Sequence, residues 1–337
     1  VADFPRSLRL TLSKAKFALG NTPKIEKPRC KDPFWVPEGK QAVCLISADF
    51  EMAWAFHFMH PSRREDGLAD RMGMRTRGNV PFILDLCDKT GVPITWATVG
   101  HLMLDECVPE NSIKHPEIPR PPYYSNPYWN YDHGDWFDDD PCSNVKDAPA
   151  WYAPDLVRDI ISRKVSHEIA CHSFSHIDAS DANCPADVFL AEMNRCIELA
   201  GYFNSKLVSF VHPGHQTGHL DILAEKDFSN FRTDTGNVLG PPKKHPTGLW
   251  EYRNTQELAW REGWSAGYIL SRLKRIIDRA IKYHSLCVFW FHPSMDHRFV
   301  TKVFPGFLEY LDRQRNKIAI MTHSEYANFL DNSGEDI

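Results

Sequence analysis

The chain is expected to adopt an α/β fold, a distorted (β/α) barrel of about seven parallel strands. Three observations lead there. From residue 41 onward, short apolar and β-branched runs alternate with stretches of helical period. Several of these runs stop abruptly at Asp, Glu or His. One long segment, 105–150, breaks the rhythm and reads as an insert within a single domain.

The strand candidates are Ala42–Ser47, Pro93–Val99, His167–Cys171, Leu207–Val211, Asn230–Arg232, Leu249–Tyr252, Leu286–Phe291 and Lys317–Met321, each an apolar run bounded by polar residues. Helical spacing recurs in Val80–Lys89, Cys184–Ala200, Leu220–Lys226, Ala266–Tyr283 and Val303–Arg315. Ala153–Lys164 joins them, with Pro154 in the first turn where its missing N–H costs nothing. A last helix, Glu325–Leu330, follows the cap His323-Ser324. Residues 1–40 read as an arm or short helix, 41–331 as the barrel and 332–337 as a tail. The 337 residues would fit two domains at about 150 residues each, but the unbroken strand–helix alternation favours one barrel. The insert is rich in Pro, Asp and aromatics, and its aromatic content argues for an ordered excursion near the barrel mouth rather than disorder.

Composition removes several classes. Hydrophobic residues make up 42% and charged residues 25%, which excludes disordered and fibrous chains. A net charge of −5 gives no basic surface for nucleic acid. The nine Cys are scattered without a CxxC, and Cys44 and Cys287 lie in apolar runs. They read as buried free thiols of a reducing compartment, which places the protein in the cytoplasm. The missing CxxC also argues against structural zinc. No apolar run is long enough to span a membrane. The basic, partly amphipathic start VADFPRSLRLTLSKAKFALGN lacks a leader's apolar core and leaves peripheral membrane contact as a secondary reading.

Four motifs sit at predicted strand ends. HEIACHSFSH (167–176) places His172 and His176 four residues apart, a spacing suited to a divalent metal when the chain turns after the strand. In SADFE, Asp49 and Glu51 are two apart and share a strand face, as a metal ligand and a general base would. Phe291-His292-Pro293 ends a late buried strand, and Val211-His212-Pro213-Gly214-His215 ends another. His212 and His215 are expected to line a pocket. Parallel α/β folds collect their sites at this rim, so one metal site explains the set better than four coincidences.

In this order the motifs resemble the polysaccharide deacetylases, carbohydrate esterase family 4, over about residues 41–325. HEIACHSFSH is similar to that family's histidine motif, Pro93–Gly100 to its second strand, SADFE to its aspartate pair, and Phe291-His292-Pro293 to its late histidine motif. The resemblance implies a distorted barrel and one divalent ion, zinc, held by Glu51, His172 and His176. It makes Asp49 the general base and His292 the acid that protonates the leaving amine. Glu51 stands where many relatives have Asp, which leaves Asp49 as an alternative ligand. Val211 stands where the family usually has an Arg that orients the base. Asp234 is a candidate partner for His292. The implied substrate is an amido sugar, small, activated or lipid- or nucleotide-linked, that loses an N-acetyl or N-formyl group.

Two rival readings remain at this point. One is another C–N amidohydrolase on the same scaffold, acting on a cyclic ureide or formamide. The other is a catalytically silent carbohydrate-binding protein, which Val211 favours and the retained acids and histidines oppose. Trp129, Tyr131 and Trp136 in the insert are candidates for stacking on sugar rings. Asp138-Asp139-Asp140 reads as a solvated acidic turn.

Overall fold

The computed structural model describes residues 22–26, 33–63 and 65–333. The proposed N-terminal helix and membrane contact, Cys30 and residues 334–337 of the tail lie outside them.

The central sheet has ten strands. In chain order these follow the short β1 (Lys24–Ile25): β2 (Ala42–Phe50), β3 (Thr95–Thr98), then, after β4 (Tyr124–Ser125) and β5 (Asn130–Tyr131) of the insert, β6 (Glu168–Cys171), β7 (Ser209–Val211), β8 (Asn230–Thr233). After β9 (Val238–Leu239), which pairs with β1, come β10 (Lys243–Lys244), β11 (Trp250–Arg253), β12 (Gln256–Glu257), β13 (Leu286–Phe291) and β14 (Ile318–Met321). Pairing runs β10-β11-β8-β7-β6-β3-β2-β13-β12, with β14 added beside the start of β2. All of these pairings are parallel except β10 with β11.

The ring closes through one continuous stretch. β11 pairs with β8 and β12 pairs with β13, and between them Asn254 N–H donates to Thr233 O (2.8 Å) while Thr255 N–H donates to Val288 O (2.8 Å). Residues 250–257 therefore change neighbour along their length. Counted as one stave with β2, β3, β6, β7, β8 and β13, they make the expected ring of about seven strands.

Every residue of β2 and of β13 is buried, as parallel strands covered on both faces must be. The two-residue period sorts them. Cys44, Ile46, Ala48 and Phe50 pack outward with Cys287, Phe289 and Phe291 against the helices. Val43 and Leu45 point inward and meet Val288, Tyr252 and Tyr326. Above that layer the interior narrows to Ala97, Ala170 and Val211. The same inward face of β2 then continues into Ser47 and Asp49, so the apolar floor gives way to polar groups at the strands' C-terminal ends.

Most outer helices follow the expected stretches, but the last runs His323–Asn332 behind a Thr322 cap rather than a His323-Ser324 cap, and a short helix, His297–Lys302, was not expected. Val80–Lys89 is the last part of a longer helix, Leu68–Thr90, that carries Pro81 inside it. Its first turns are too polar and glycine-rich for periodicity to show. They are fixed by tertiary contacts: Arg77 donates to Pro149 O (2.8 Å), and Asn79 Nδ2 donates to Pro293 O (2.8 Å) and Met295 O (3.0 Å). The insert is ordered. β4 and β5 form a hairpin, and Trp136 Nε1–H reaches Ser175 Oγ (2.8 Å) in the histidine loop.

Among the described residues, six cysteines are free and buried, as expected. Cys107 and Cys142 differ: a disulfide joins them across the insert. The free-thiol argument for a reducing compartment does not extend to this pair. No helix of the described residues is long and apolar enough to cross a membrane.

Candidate active site at the strand ends

Glu51, just past β2, is the focus. Its Oε1 lies 3.0 Å from His172 Nε2 and 3.2 Å from His176 Nε2, and its Oε2 lies 3.6 Å from His292 Nε2. β2, the loop after β6 and the end of β13 thus converge on one carboxylate. Glu51, His172 and His176 are all buried.

The histidine loop is held by groups that sequence reading missed. After β6 the chain takes left-handed φ values at Ser173 (57°) and His176 (56°). Glu192, fully buried on the helix Ala186–Tyr202, accepts from Phe174 N–H (2.7 Å), Ser175 N–H (2.9 Å) and the Ser175 hydroxyl (2.6 Å). Its signal was present in the sequence: a lone Glu on the apolar face formed by Val188, Phe189, Met193 and Cys196. A charged group on such a face needs a partner.

The chemistry of the donor set fits a cation. His172 Nδ1 is 2.7 Å from the carbonyl of Val211 and must donate to it. In the neutral ring its Nε2 then carries a lone pair, yet it faces a carboxylate oxygen, which is also an acceptor. A shared positive ion satisfies both, and the carbonyl that orients the ring is the usual support of a metal-bound imidazole. Two nitrogens and a carboxylate are a donor set that suits a divalent ion. Asp49, Glu51 and His292 form an adjoining group.

Asp49 is held by an arginine from elsewhere. Arg232, on β8 and fully buried, makes a bidentate pair with Asp49 (Nη1 to Oδ1 2.7 Å, Nη2 to Oδ2 2.6 Å) and also donates to Ser47 Oγ (2.7 Å). This answers the departure at Val211. That side chain packs against Ala97 and Ala170 beneath the site, and the guanidinium comes from the next strand. Burial opposes ionisation of Asp49, but Arg232 outweighs it and holds the carboxyl below its usual range. Asp49 is therefore an oriented carboxylate whose bonds to Arg232 leave it fixed beside Glu51.

His292 lies deep in the cleft with 36% of its side-chain surface open to it. Its desolvation disfavours the charged ring, but Glu51, Asp49 and Glu257 outweigh that, and its pKa is raised. A carboxyl whose pKa is lowered beside an imidazole whose pKa is raised is an arrangement that suits a base and an acid.

The cleft above has a volume of about 470 Å³ and is lined by Asp49, Glu51, His176, His292, Trp129, His215, Asp234, Trp260 and Trp290, among others. Trp129, His215 and Asp234 are thus among the residues that line the cleft. Asp234 faces His215 (3.9 Å), whereas His292 pairs with Glu51. Gly214 explains how Trp129 gets there: its φ is +55°, and a Cβ on it would lie 2.6 Å from the indole. The other three candidates do not line the cleft. His212 is buried with Nε2 bonded to Gly218 O (3.0 Å), Tyr131 is buried in the insert's aromatic packing, and Trp136 is engaged with Ser175. Trp260 and Trp290 at the cleft were missed, because Trp290 lies within an apolar strand and its inward direction only appears once the ring closes.

Solved structures share this architecture. A protein from Mycobacterium smegmatis named for the polysaccharide deacetylases is similar over 94% of this chain and 96% of its own, at 15% identity and a TM-score of 0.60. The chain has the polysaccharide deacetylase fold. A second structure with that name, from Pseudomonas aeruginosa PAO1, is similar over 92% of this chain and 97% of its own, at 11% identity and a TM-score of 0.62. The Puue allantoinase structure is similar over 93% and 100%, at 12% identity and a TM-score of 0.59. No protein-family model and no curated protein matches the sequence.

Proposed function

We propose that the protein hydrolyses an amide, releasing an N-acetyl or N-formyl group from an amido sugar, with one divalent ion bound by Glu51, His172 and His176. The observation that carries the reading is the convergence on Glu51 of two imidazoles and His292, with Asp49 clamped by Arg232 alongside. Glu51, His172 and His176 would hold this ion, which would supply positive charge to acidify a water and polarise an acyl oxygen. Asp49 takes the proton of the attacking water. Arg232 fixes both oxygens of Asp49, so the carboxylate keeps its direction while its charge is neutralised. His292 holds a proton near the opposite side of Glu51 and gives it to the departing nitrogen, which leaves poorly as an anion. Trp129, Trp260 and Trp290 give the cleft apolar faces of the kind that cover sugar rings.

A second reading is supported by the likeness to the allantoinase structure: opening of a cyclic ureide by the same acid and base. The test is a screen of the purified protein, after its metal content is measured, against N-acetyl and N-formyl sugars, free and nucleotide-linked, and cyclic ureides. Amine release with acetate or formate supports the first reading and a ring-opened acid the second. A protein without stoichiometric metal and without activity on any of these would refute both.

A further inference from the structure

We propose that the insert carries a second metal site, in which His101 Nε2, Cys107 Sγ, His115 Nε2 and Asp140 Oδ2 bind one zinc ion when the Cys107–Cys142 disulfide is reduced. These four atoms all lie within 4.8 Å of one another. Asp140 Oδ2 is 2.9 Å from His115 Nε2 and 3.2 Å from His101 Nε2, and Cys107 Sγ is 3.4 Å from His115 Nε2 and 3.8 Å from Asp140 Oδ2. Tetrahedral zinc separates its ligands by roughly 3.3–3.8 Å, so little movement is needed. His101, His115 and Asp140 are buried and Cys107 is partly buried.

The surroundings support the site independently. The second oxygen of Asp140 accepts from Cys142 N–H (2.9 Å) and the Tyr152 hydroxyl (3.2 Å), which fixes the carboxylate's direction. His115 Nδ1 has Glu117 Oε1 at 3.7 Å. A surface groove lined by Cys107, His115, Glu117 and Glu198 opens onto the cluster, so ion and reductant have a route in. His101 sits in the turn Gly100–Met103 directly after β3, while the other three belong to the insert. Zinc would therefore tie the insert to the barrel, whereas the disulfide ties the insert's own ends together.

The exchange balances. A dithiol gives two electrons and two protons to the disulfide, becoming a cyclic disulfide and leaving Cys107 and Cys142 as thiols. Zinc then displaces the Cys107 thiol proton, and both imidazoles stay neutral with their proton on Nδ1.

Cobalt(II) tests this, because only the insert site offers sulfur and its thiolate gives a near-ultraviolet charge-transfer band that Glu51, His172 and His176 cannot. Chelator-treated full-length Cys142→Ser, whose Cys107 cannot be oxidised to this disulfide, should show the band and bind two equivalents of cobalt. Adding His172→Ala should remove one equivalent and leave the band. Adding Cys107→Ser should abolish it. The untreated wild type should lack the band and gain it with a dithiol. Cobalt saturation of Cys142→Ser and of dithiol-treated wild type without the band would overturn the proposal, as would a band that survives loss of Cys107. Neither result touches the strand-end site, which is read separately from the remaining equivalent.

Discussion

The strand-end site and the insert cluster have the same local geometry built on different supports. In each, one carboxylate oxygen receives two imidazole Nε2 atoms: Glu51 Oε1 at 3.0 and 3.2 Å, Asp140 Oδ2 at 3.2 and 2.9 Å. The difference lies in what surrounds them. At the strand ends, the Val211 carbonyl takes the His172 Nδ1 proton and leaves a lone pair facing a carboxylate, which calls for a cation. In the insert, Asp140 can accept both Nε2–H groups, so those two contacts need no ion. The first opens onto a cleft beside Asp49 and His292, whereas the second adds a sulfur as its fourth donor. Open coordination beside titratable groups suits catalysis, and a closed quartet suits holding parts together.

The largest expected effect comes from breaking the first site. His172→Ala should lose the ion and reduce activity to background, with stoichiometric metal analysis as the check; full activity with metal retained would remove the site assignment. Asp49→Asn keeps the shape and the ion but removes the base, and kcat should fall roughly 10²- to 10⁴-fold. Neither change should alter the insert, so unchanged thiol chemistry at Cys107 and Cys142 sharpens the contrast.

Next is the clamp. Arg232→Met leaves Asp49 buried and unpaired, which should cost about 3–5 kcal/mol in denaturant unfolding. Arg232→Lys keeps the charge but not the two-pronged geometry, so it should recover stability better than activity.

The pH profile follows from the same groups. Asp49 works ionised and its pKa is lowered from 3.8, so the acidic limb of kcat/KM should lie below that value. His292 works protonated, so activity should fall on the basic side as its proton leaves; Glu51, Asp49 and Glu257 raise its pKa, and an ion held on Glu51 would weaken that pull. Loss of Arg232 should move the acidic limb upward, because burial then acts on Asp49 unopposed. An acidic limb that stays put in Arg232→Met would remove Arg232 from the assignment.

The smallest effect is at the cleft wall. Gly214→Ala puts a side chain at φ +55° against the Trp129 indole, and should cost on the order of 1 kcal/mol or more in stability and raise KM more than it lowers kcat.

The sequence was most legible where local pattern and position coincide. The strands of the barrel and the strand-end positions of Asp49, Glu51, His172, His176 and His292 follow from apolar runs that stop at a polar residue, since parallel strands must be buried along their length and exposed at their ends. It was least legible where a side chain's role depends on a neighbour far away in the chain. Asp138-Asp139-Asp140 read as a solvated turn, yet Asp140 is 1% exposed, because two histidines from separate segments fold onto it. His212 and Trp136 look like pocket residues in the chain and become supports in the fold.

What the amino-acid order determined alone is the barrel, its insert and the set of groups delivered to one rim. What only the tertiary structure decided is which groups meet. Arg232 takes the place left by Val211 because adjacent staves of a closed ring present their inward side chains to the same axis. Cys107 meets Cys142 and three further donors because the insert folds back on the barrel. Both facts arise from long-range closure, which no local period encodes.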